Sequence, residues 1–396
     1  MRFGFLTEGD TKPGMTHYTR YHELVEQVLL AEKVGFDTFG ASEQHLAIGG
    51  ATTSAPEVIY AYLMALTTRI RFAHAIVLMP TRFNHPLRVA ERLATMDILS
   101  HGRVEAAMGR GNTMLALRAF EVSPEENRAQ LLEGVDLLRA SFLDDPFTFV
   151  GNYYKVPPRS LVPKPVQYPH PPLALAATSP ASHMLAAQKG IGVVSFANFS
   201  GWDVLHNNLG VYDKIFDETD HTMPTQHNKV VLVAGLVCTE TTQEAREEFL
   251  PILEYVKLAV DAYDRLATLG DDYSYVKDIK QKVDANVMDV DYMLNESASF
   301  VVGSPDDCID QVRQFEELGI NEMWLRIDTT DHDQIMRTIE RFGKYVIPNF
   351  KSKHAVVRSP EDVIADIRAM RESHYQKLAE FEESLRDGAP LENITQ

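Results

Sequence analysis

Hydrophobic positions in the first two-thirds of the chain fall into two alternating patterns. Short, nearly continuous apolar runs read as buried parallel strands. They lie at Arg2–Thr7, Thr38–Ser42, Ile70–Leu78, Val104–Met108, Leu173–Ala177, Val193–Phe196, Val230–Val237 and Met323–Ile327. Each is followed by a segment that can form a helix. Repeated β-then-α units predict an α/β fold with a parallel sheet, and eight of them predict a (β/α)8 TIM barrel. A doubly wound sheet is the rival architecture. No GxGxxG follows the first strand, where a dinucleotide fold would carry one.

Two stretches break the alternation. Residues 144–172 hold a predicted hairpin at Phe147–Val156 followed by a proline-rich run, an insertion rather than a barrel helix. Residues 270–300 are highly charged with little periodicity, and are expected to be a long loop of the kind that serves as a lid or is disordered. Val363, Ile367, Met370, Leu378, Phe381 and Leu385 recur at helical spacing, so 349–396 is expected to be an amphipathic helical extension beyond a barrel at 1–348.

Helix starts are marked by pairs three residues apart: Ser54 with Glu57, Ser123 with Glu126, Thr241 with Glu244, Ser304 with Asp307 and Ser359 with Asp362. Each pairs a capping hydroxyl with an acid that complements the helix dipole. Thr178-Ser179-Pro180-Ala181-Ser182 departs from this pattern. Ser179 caps a helix opened by Pro180, yet the third helical position is Ser182 and the first turn has no acid. The positive helix end and three hydroxyls are then available to an anion such as a phosphate, the alternative being an ordinary serine cap. Arg110, after the fourth strand, can supply the matching guanidinium fork.

Composition narrows the function classes. The chain has 396 residues, 45% hydrophobic and 24% charged, as a packed globular interior requires. A net charge of −18 argues against a nucleic-acid partner. Cys238 and Cys308 form neither a disulfide framework nor a metal-ligand pattern, which suits a reducing, cytoplasmic setting. The opening MRFGFLTEGD reads as a strand broken by acids rather than a signal peptide, and no apolar stretch is long enough to span a membrane.

In a parallel barrel, chemistry collects where strands end. Those positions hold Glu8, Glu43-Gln44-His45, His74-Ala75, Gly109-Arg110-Gly111-Asn112 and Thr178-Ser179. His45 beside Glu43 suits an acid, base or hydrogen-bond donor, the alternative being a structural histidine. One Glu-x-His without a second ligand cluster predicts no metal site, and no GxSxG elbow marks a serine nucleophile. His85-Pro86 opens a helix whose far end gathers Asp97, Ser100 and Arg103, read as a structural polar network.

Three segments carry a resemblance: GFDTFGASEQH (35–45), HAIVLMPTRFNHPLRVAERLATMDILSHGRVEAAMGRG (74–111) and VGSPDDCIDQVRQFEELGI (302–320). Together they resemble the bacterial luciferase-like flavin monooxygenases over roughly 1–348. The resemblance implies a barrel enzyme that takes reduced FMN from a separate NAD(P)H:flavin reductase, uses O2 through a C4a-peroxyflavin, oxygenates a small organic substrate, contains no metal, and forms a homodimer. It assigns the flavin phosphate to Arg110, Thr178, Ser179 and Ser182, with Arg128 as a second arginine. It assigns Ser195, Phe196, Gly109 and Asn112 to the ring or substrate side, and a non-proline cis peptide to His74-Ala75. The catalytic trio is Glu43, Gln44 and His45. Gln44 stands where the light-emitting members carry a histidine, and Gly109 where they carry a reactive cysteine, so light emission is not expected. The alternatives are a deazaflavin (F420)-dependent oxidoreductase on the same barrel and a flavin-binding relative without catalysis. Phe83, His74 and the 144–172 insertion are candidates for shaping the substrate pocket.

Overall fold

A computed structural model describes residues 1–351 except 13, 48–49, 112, 198, 262–274 and 329, together with Gln376. The predicted helical extension after 351 and the candidate Asn112 therefore lie outside the described residues.

Eight parallel strands close a barrel. In chain order the elements are β1 (Arg2–Thr7), α1 (His17–Val34), β2 (Thr38–Ala41), α2 (Pro56–Met64), β3 (Arg71–Leu78), α3 (Pro86–Leu99) and β4 (Val104–Gly109). Then come α4 (Met114–Ala119), α5 (Asn127–Leu143), β5 (Phe147–Val150), β6 (Lys155–Arg159), β7 (Leu173–Ala177), α6 (Pro180–Gln188), β8 (Gly192–Phe196) and α7 (Trp202–Glu218). The chain continues with β9 (Lys229–Val233), β10 (Gly235–Cys238), α8 (Thr242–Asp261), α9 (Tyr275–Asn286), α10 (Val290–Asn295), β11 (Phe300–Gly303), α11 (Pro305–Glu317), β12 (Glu322–Arg326) and α12 (His332–Arg341). Around the barrel the order is β1-β12-β9-β8-β7-β4-β3-β2, and β2 returns to β1. The predicted TIM barrel is the observed fold. The predicted hairpin is the antiparallel pair β5–β6.

Small side chains make the barrel interior. Ala73, Ala75, Ala107, Ala174 and Val194 pack there against Leu6, Val230 and Trp324. Trp324 is accommodated because its register partner is Gly4, where a Cβ would come within 2.6 Å of the indole Cδ1. Outside the strands, a larger core including Phe3, Phe5, Phe39 and Phe72 joins the sheet to the helices.

Two expectations about elements are corrected. The run Val230–Val237 is two strands. The chain leaves the barrel after Val233, and β10 pairs instead with β11 in a separate two-stranded parallel sheet. Gly235 permits this, since a Cβ there would lie 3.0 Å from the Phe300 ring. The segment 270–300, expected as a loop, contains α9 and α10 in its described part and ends at the first residue of β11. Ile279, Val283 and Val287 recur every fourth residue and pack with Phe249, Ile252, Leu253, Met293 and Phe300 in a second core. Charged neighbours obscured that stripe in the sequence.

Capping is also mixed. Ser304 with Asp307 is a reciprocal capping box, and Thr241 accepts from the Glu244 amide at 3.2 Å. Ser54 and Ser123 cap nothing: α2 begins after Ala55 and α5 after Glu126. Glu57 instead pairs with Arg92 at 2.6 Å. Pro56 shifted the first of these starts, because its fixed φ places it at the first helical turn. Ser359 lies outside the described residues. Among the described residues, no helix is long and apolar enough to cross a membrane.

Candidate functional site

The C-terminal ends of the barrel strands surround a cavity of about 280 Å³. One side is polar. Arg110 follows β4, Arg128 is the second residue of α5, and Thr178, Ser179 and Ser182 surround the start of α6; all five line the cavity. Ser179 is the N-cap of α6, with Pro180 at the first position and no acid in the first turn. Ser182 closes a serine-only capping box. Its Oγ accepts the amides of Thr178 (3.3 Å) and Ser179 (3.1 Å) and donates to the Ser179 carbonyl (2.9 Å). Two guanidinium groups and a positive helix end thus face one space inside a chain of net charge −18.

The floor is apolar, made by Ala75, Ile76, Gly109, Leu175, Val194, Leu232 and Trp324. Ile279 of α9 reaches the cavity from the second core. The strands β3 and β4 shift register between Ala75 and Val77, and the Ala75-Ile76 peptide is cis. The expected cis position, His74-Ala75, is therefore corrected by one bond: the irregular residue of the bulge is Ile76.

The third face is acidic. Glu8 and Glu43 line the cavity, as do Gln44 and Ser42. Glu43 is saturated with donors: the Leu78 amide (2.8 Å) reaches Oε2, while the Asn84 side-chain amide (2.9 Å) and His45 Nε2 (2.8 Å) reach Oε1. A carboxylate only accepts, so His45 donates from Nε2. Asn84 is itself held by Arg92, 2.6 Å from its Oδ1. The Gln44 side chain makes no hydrogen bond with the described residues, and the Ser42 hydroxyl is buried without a partner.

The structure thus brings Glu43, Gln44, Ala75, Gly109, Arg110, Arg128, Thr178, Ser179, Ser182 and Phe196 to one cavity. Three other candidates lie elsewhere. His45 does not line it; the imidazole stacks on Phe83 at 5.8 Å and touches Phe120 at 4.9 Å. His74 is buried on the outer side of β3, edge-on to Tyr60 of α2 at 5.1 Å, where burial pushes it down to about 4. Ser195 also faces outward, 2.8 Å from His183 Nε2. Side chains alternate along a strand, and Ala75 and Val194 are the neighbours that face inward.

Sequence reasoning did not single out Ile76, Leu232, Ile279 or Trp324. Gly4 within a strand was the available signal for Trp324, since glycine there marks a close approach. Asn84 had no signal, because its role depends on a contact with a residue of another loop.

The chemistry of the cavity fits a flavin-type cofactor that carries a phosphate. Its two arginines and acid-free helix end match a phosphate, its apolar floor matches a ring system, and the unpartnered Ser42 hydroxyl offers a further hydrogen bond. Among the described residues, no group of three or more His, Cys, Asp or Glu side chains could hold a metal ion.

Comparison with known proteins gives a consistent result. The luciferase-like monooxygenase family matches residues 1–322. The chain is 27% identical over 374 residues to 4-hydroxyprotoasukamycin monooxygenase of Streptomyces nodosus subsp. asukaensis, covering 91% of this chain and 94% of that protein. It is 25% identical to the F420-dependent glucose-6-phosphate dehydrogenase of Amycolatopsis mediterranei (strain U-32), covering 83% and 95%. In structure it is similar to the oxygenating constituent of 3,6-diketocamphane monooxygenase from Pseudomonas putida, solved in complex with FMN. That match has a TM-score of 0.70 and 22% identity over 89% of this chain and 99% of the other.

Proposed function

The chain belongs to the luciferase-like monooxygenase family, and we propose that it is the oxygenase of a two-component system that uses reduced FMN and O2 on a small organic substrate. The observation that carries this reading is the single cavity in which Arg110, Arg128 and the acid-free start of α6 oppose an apolar barrel floor. Reduced FMN, when bound, supplies the electrons that activate dioxygen for transfer of one oxygen atom to the substrate.

The residues of this chain have separate tasks. Arg110, Arg128, Thr178, Ser179 and Ser182 hold the phosphate through charge-assisted hydrogen bonds. Ala75, Ile76, Gly109, Val194, Leu232, Trp324 and Phe196 bracket the ring and exclude water. Ile279 extends that exclusion from the α8–α10 layer, which keeps reactive oxygen chemistry away from solvent. Glu43 has its acceptor sites filled by Asn84, His45 and the Leu78 amide, so it positions the β2 end rather than removing a proton. Gln44 is the hydrogen-bonding group presented to the substrate, and it does not titrate near neutral pH. A separate NAD(P)H:flavin reductase supplies the flavin, and the protein works as a homodimer in the cytoplasm. Support for two components comes from the Pseudomonas relative, described as an oxygenating constituent.

Anaerobic titration with reduced FMN followed by mixing with oxygenated buffer tests the proposal. Tight binding and consumption of oxygen are expected. The F420-dependent relative favours a second reading, hydride transfer to or from a deazaflavin. Binding of F420 in preference to reduced FMN, with no oxygen uptake, would select it instead.

A further inference from the structure

Directly behind the serine cap lies a histidine that the cavity itself does not contact. His183 is the fourth residue of α6 and is fully buried. Its Nδ1 is 2.8 Å from the Ser179 carbonyl oxygen, and its Nε2 is 2.8 Å from the Ser195 hydroxyl. A carbonyl oxygen can only accept, so Nδ1 carries a hydrogen. Burial pushes the imidazole down to about 4, which leaves it neutral near pH 7 and Nε2 without a hydrogen. Ser195 must therefore donate. The neighbours select one tautomer and one ring orientation.

What this ring braces is the phosphate end of the cavity. The Ser179 carbonyl also accepts from the Ser182 amide (3.1 Å), the Ser182 hydroxyl (2.9 Å) and the His183 backbone amide (3.2 Å), so the imidazole adds to the helix's own bond the link onward to Ser195. The Ser182 hydroxyl in turn occupies the amides of Thr178 and Ser179. A phosphate arriving at α6 competes for those same amides and hydroxyls, so the bonds inside the capping box are the ones that must rearrange. The His183 contact to the Ser179 carbonyl comes from behind the helix, where no ligand competes, and it leads to Ser195 on β8. The next residue, Phe196, lines the cavity.

We infer that His183 is a positioning residue for the ligand phosphate: bridging Ser179 and Ser195, it holds the start of α6 against the end of β8 so that the polar groups of 178–182 stay aimed into the cavity. This inference rests on the reading of that helix end as the phosphate site. It assigns a function to Ser195 as well, as the anchor of the brace rather than a contact of the ring.

The test compares FMN with riboflavin, which has the same ring and no phosphate, by titration of the wild-type protein, His183→Leu, His183→Asn and Ser195→Ala. The wild type is expected to prefer FMN. His183→Leu should lower the FMN-to-riboflavin affinity ratio by about 10-fold, the effect of losing one positioned hydrogen bond. Asparagine can offer an N–H near the position of Nδ1, so His183→Asn should recover most of the ratio, and Ser195→Ala should lower it about 3-fold. An unchanged ratio in His183→Leu, with both ligands weakened equally, overturns the inference and leaves the phosphate site standing. A wild type without preference for FMN removes the phosphate site and the inference with it. Nitrogen-15 spectra of the wild-type histidines check the geometry even where a variant does not fold: a hydrogen on Nε2 and none on Nδ1 of His183 overturns the brace.

Discussion

The side chain of Ile76 occupies the space in which a side chain at Gly109 would begin. An ideal Cβ on Gly109 would lie 2.0 Å from Ile76 Cδ1 and 3.3 Å from Cγ1. In register Gly109 pairs with Leu78, while Ile76 is the residue left unpaired at the register shift between Ala75 and Val77, and both Ile76 and Gly109 line the cavity floor. Even alanine is excluded here unless Ile76 moves, so a cysteine at 109 would need a different floor.

Gly109→Ala is therefore expected to destabilise the protein by about 1–3 kcal/mol, the usual range for overpacking a close-packed interior. Ile76→Val removes the offending Cδ1 and should recover at least half of that loss in the double variant. Urea unfolding of the four proteins in the cycle measures the coupling; strictly additive effects would show that the two residues do not compete for the same space.

Arg110→Ala with Ser179→Ala removes one guanidinium and the capping hydroxyl from the polar side of the cavity. Charge-assisted hydrogen bonds contribute about 1.5–3 kcal/mol each, so affinity for reduced FMN should fall by about 100-fold or more while riboflavin affinity changes little. Anaerobic fluorescence titration reads both. Unchanged FMN affinity would falsify the phosphate assignment.

Asn84→Asp places a second carboxylate at the 2.9 Å contact with Glu43. Two carboxylates at that distance cannot both ionise without a large penalty, so they share a proton at low pH and repel at high pH. The variant should be less stable than the wild type by about 2 kcal/mol or more at pH 8, with a smaller deficit near pH 5. Thermal melts across this range check it, and a deficit independent of pH would contradict the proposed contact.

At the ends of β1 and β12, Arg326 stands between Glu8 (3.1 Å), Asp10 (2.5 Å) and Asp328 (2.9 Å). Burial, together with the Asp328 charge, raises Asp10 to about 7 against the pull of Arg326. Asp328 is buried too, but Arg326 and Arg20 hold it down to about 2. The signs are opposite. Because the folded state binds the Asp10 proton more tightly than the unfolded chain, its contribution is complete below about pH 4 and is lost as pH rises through about 7. The Asp328 contribution is complete above about pH 4 and is lost towards pH 2. Asp10→Asn should therefore flatten the decline in stability between about pH 4 and 8, raising stability at pH 8 by on the order of 2 kcal/mol. Denaturant unfolding at pH 5 and pH 8 decides it; a variant that declines as steeply as the wild type excludes Asp10 as the source.

Much of the site was legible because its signals are local. Ser179, Pro180 and Ser182 announce a helix start without an acid within five residues of sequence, and the structure has that capping box. Arg110 follows a strand whose apolar run is plain in the sequence, and it lines the cavity with them. His74 and Ser195 show the opposite case. Both sit in correctly predicted strands, yet each is one residue out of phase with the inward-facing set. The order of roles between Glu43 and His45 was also hidden. Only the positions of Asn84, Leu78, Phe83 and Phe120 show that the carboxylate faces the cavity and the imidazole does not.

The amino-acid sequence by itself determined the eight barrel strands and the helix starts at His85, Ser179, Thr241 and Ser304, since apolar periodicity, capping hydroxyls and proline act over a few residues. It determined the family as well, through segments whose order along the chain is distinctive. Tertiary structure alone decided which faces of β3 and β8 look inward, that Val230–Val237 bends out of the barrel at Ala234, and that Trp324 lies over Gly4. It also decided that Ile279, Val283 and Val287 form a second core with α8 and Phe300. These outcomes depend on barrel closure and on contacts between residues far apart in the chain. A side chain's direction in a closed barrel follows from the register of both neighbouring strands, and that register is a property of the assembled sheet.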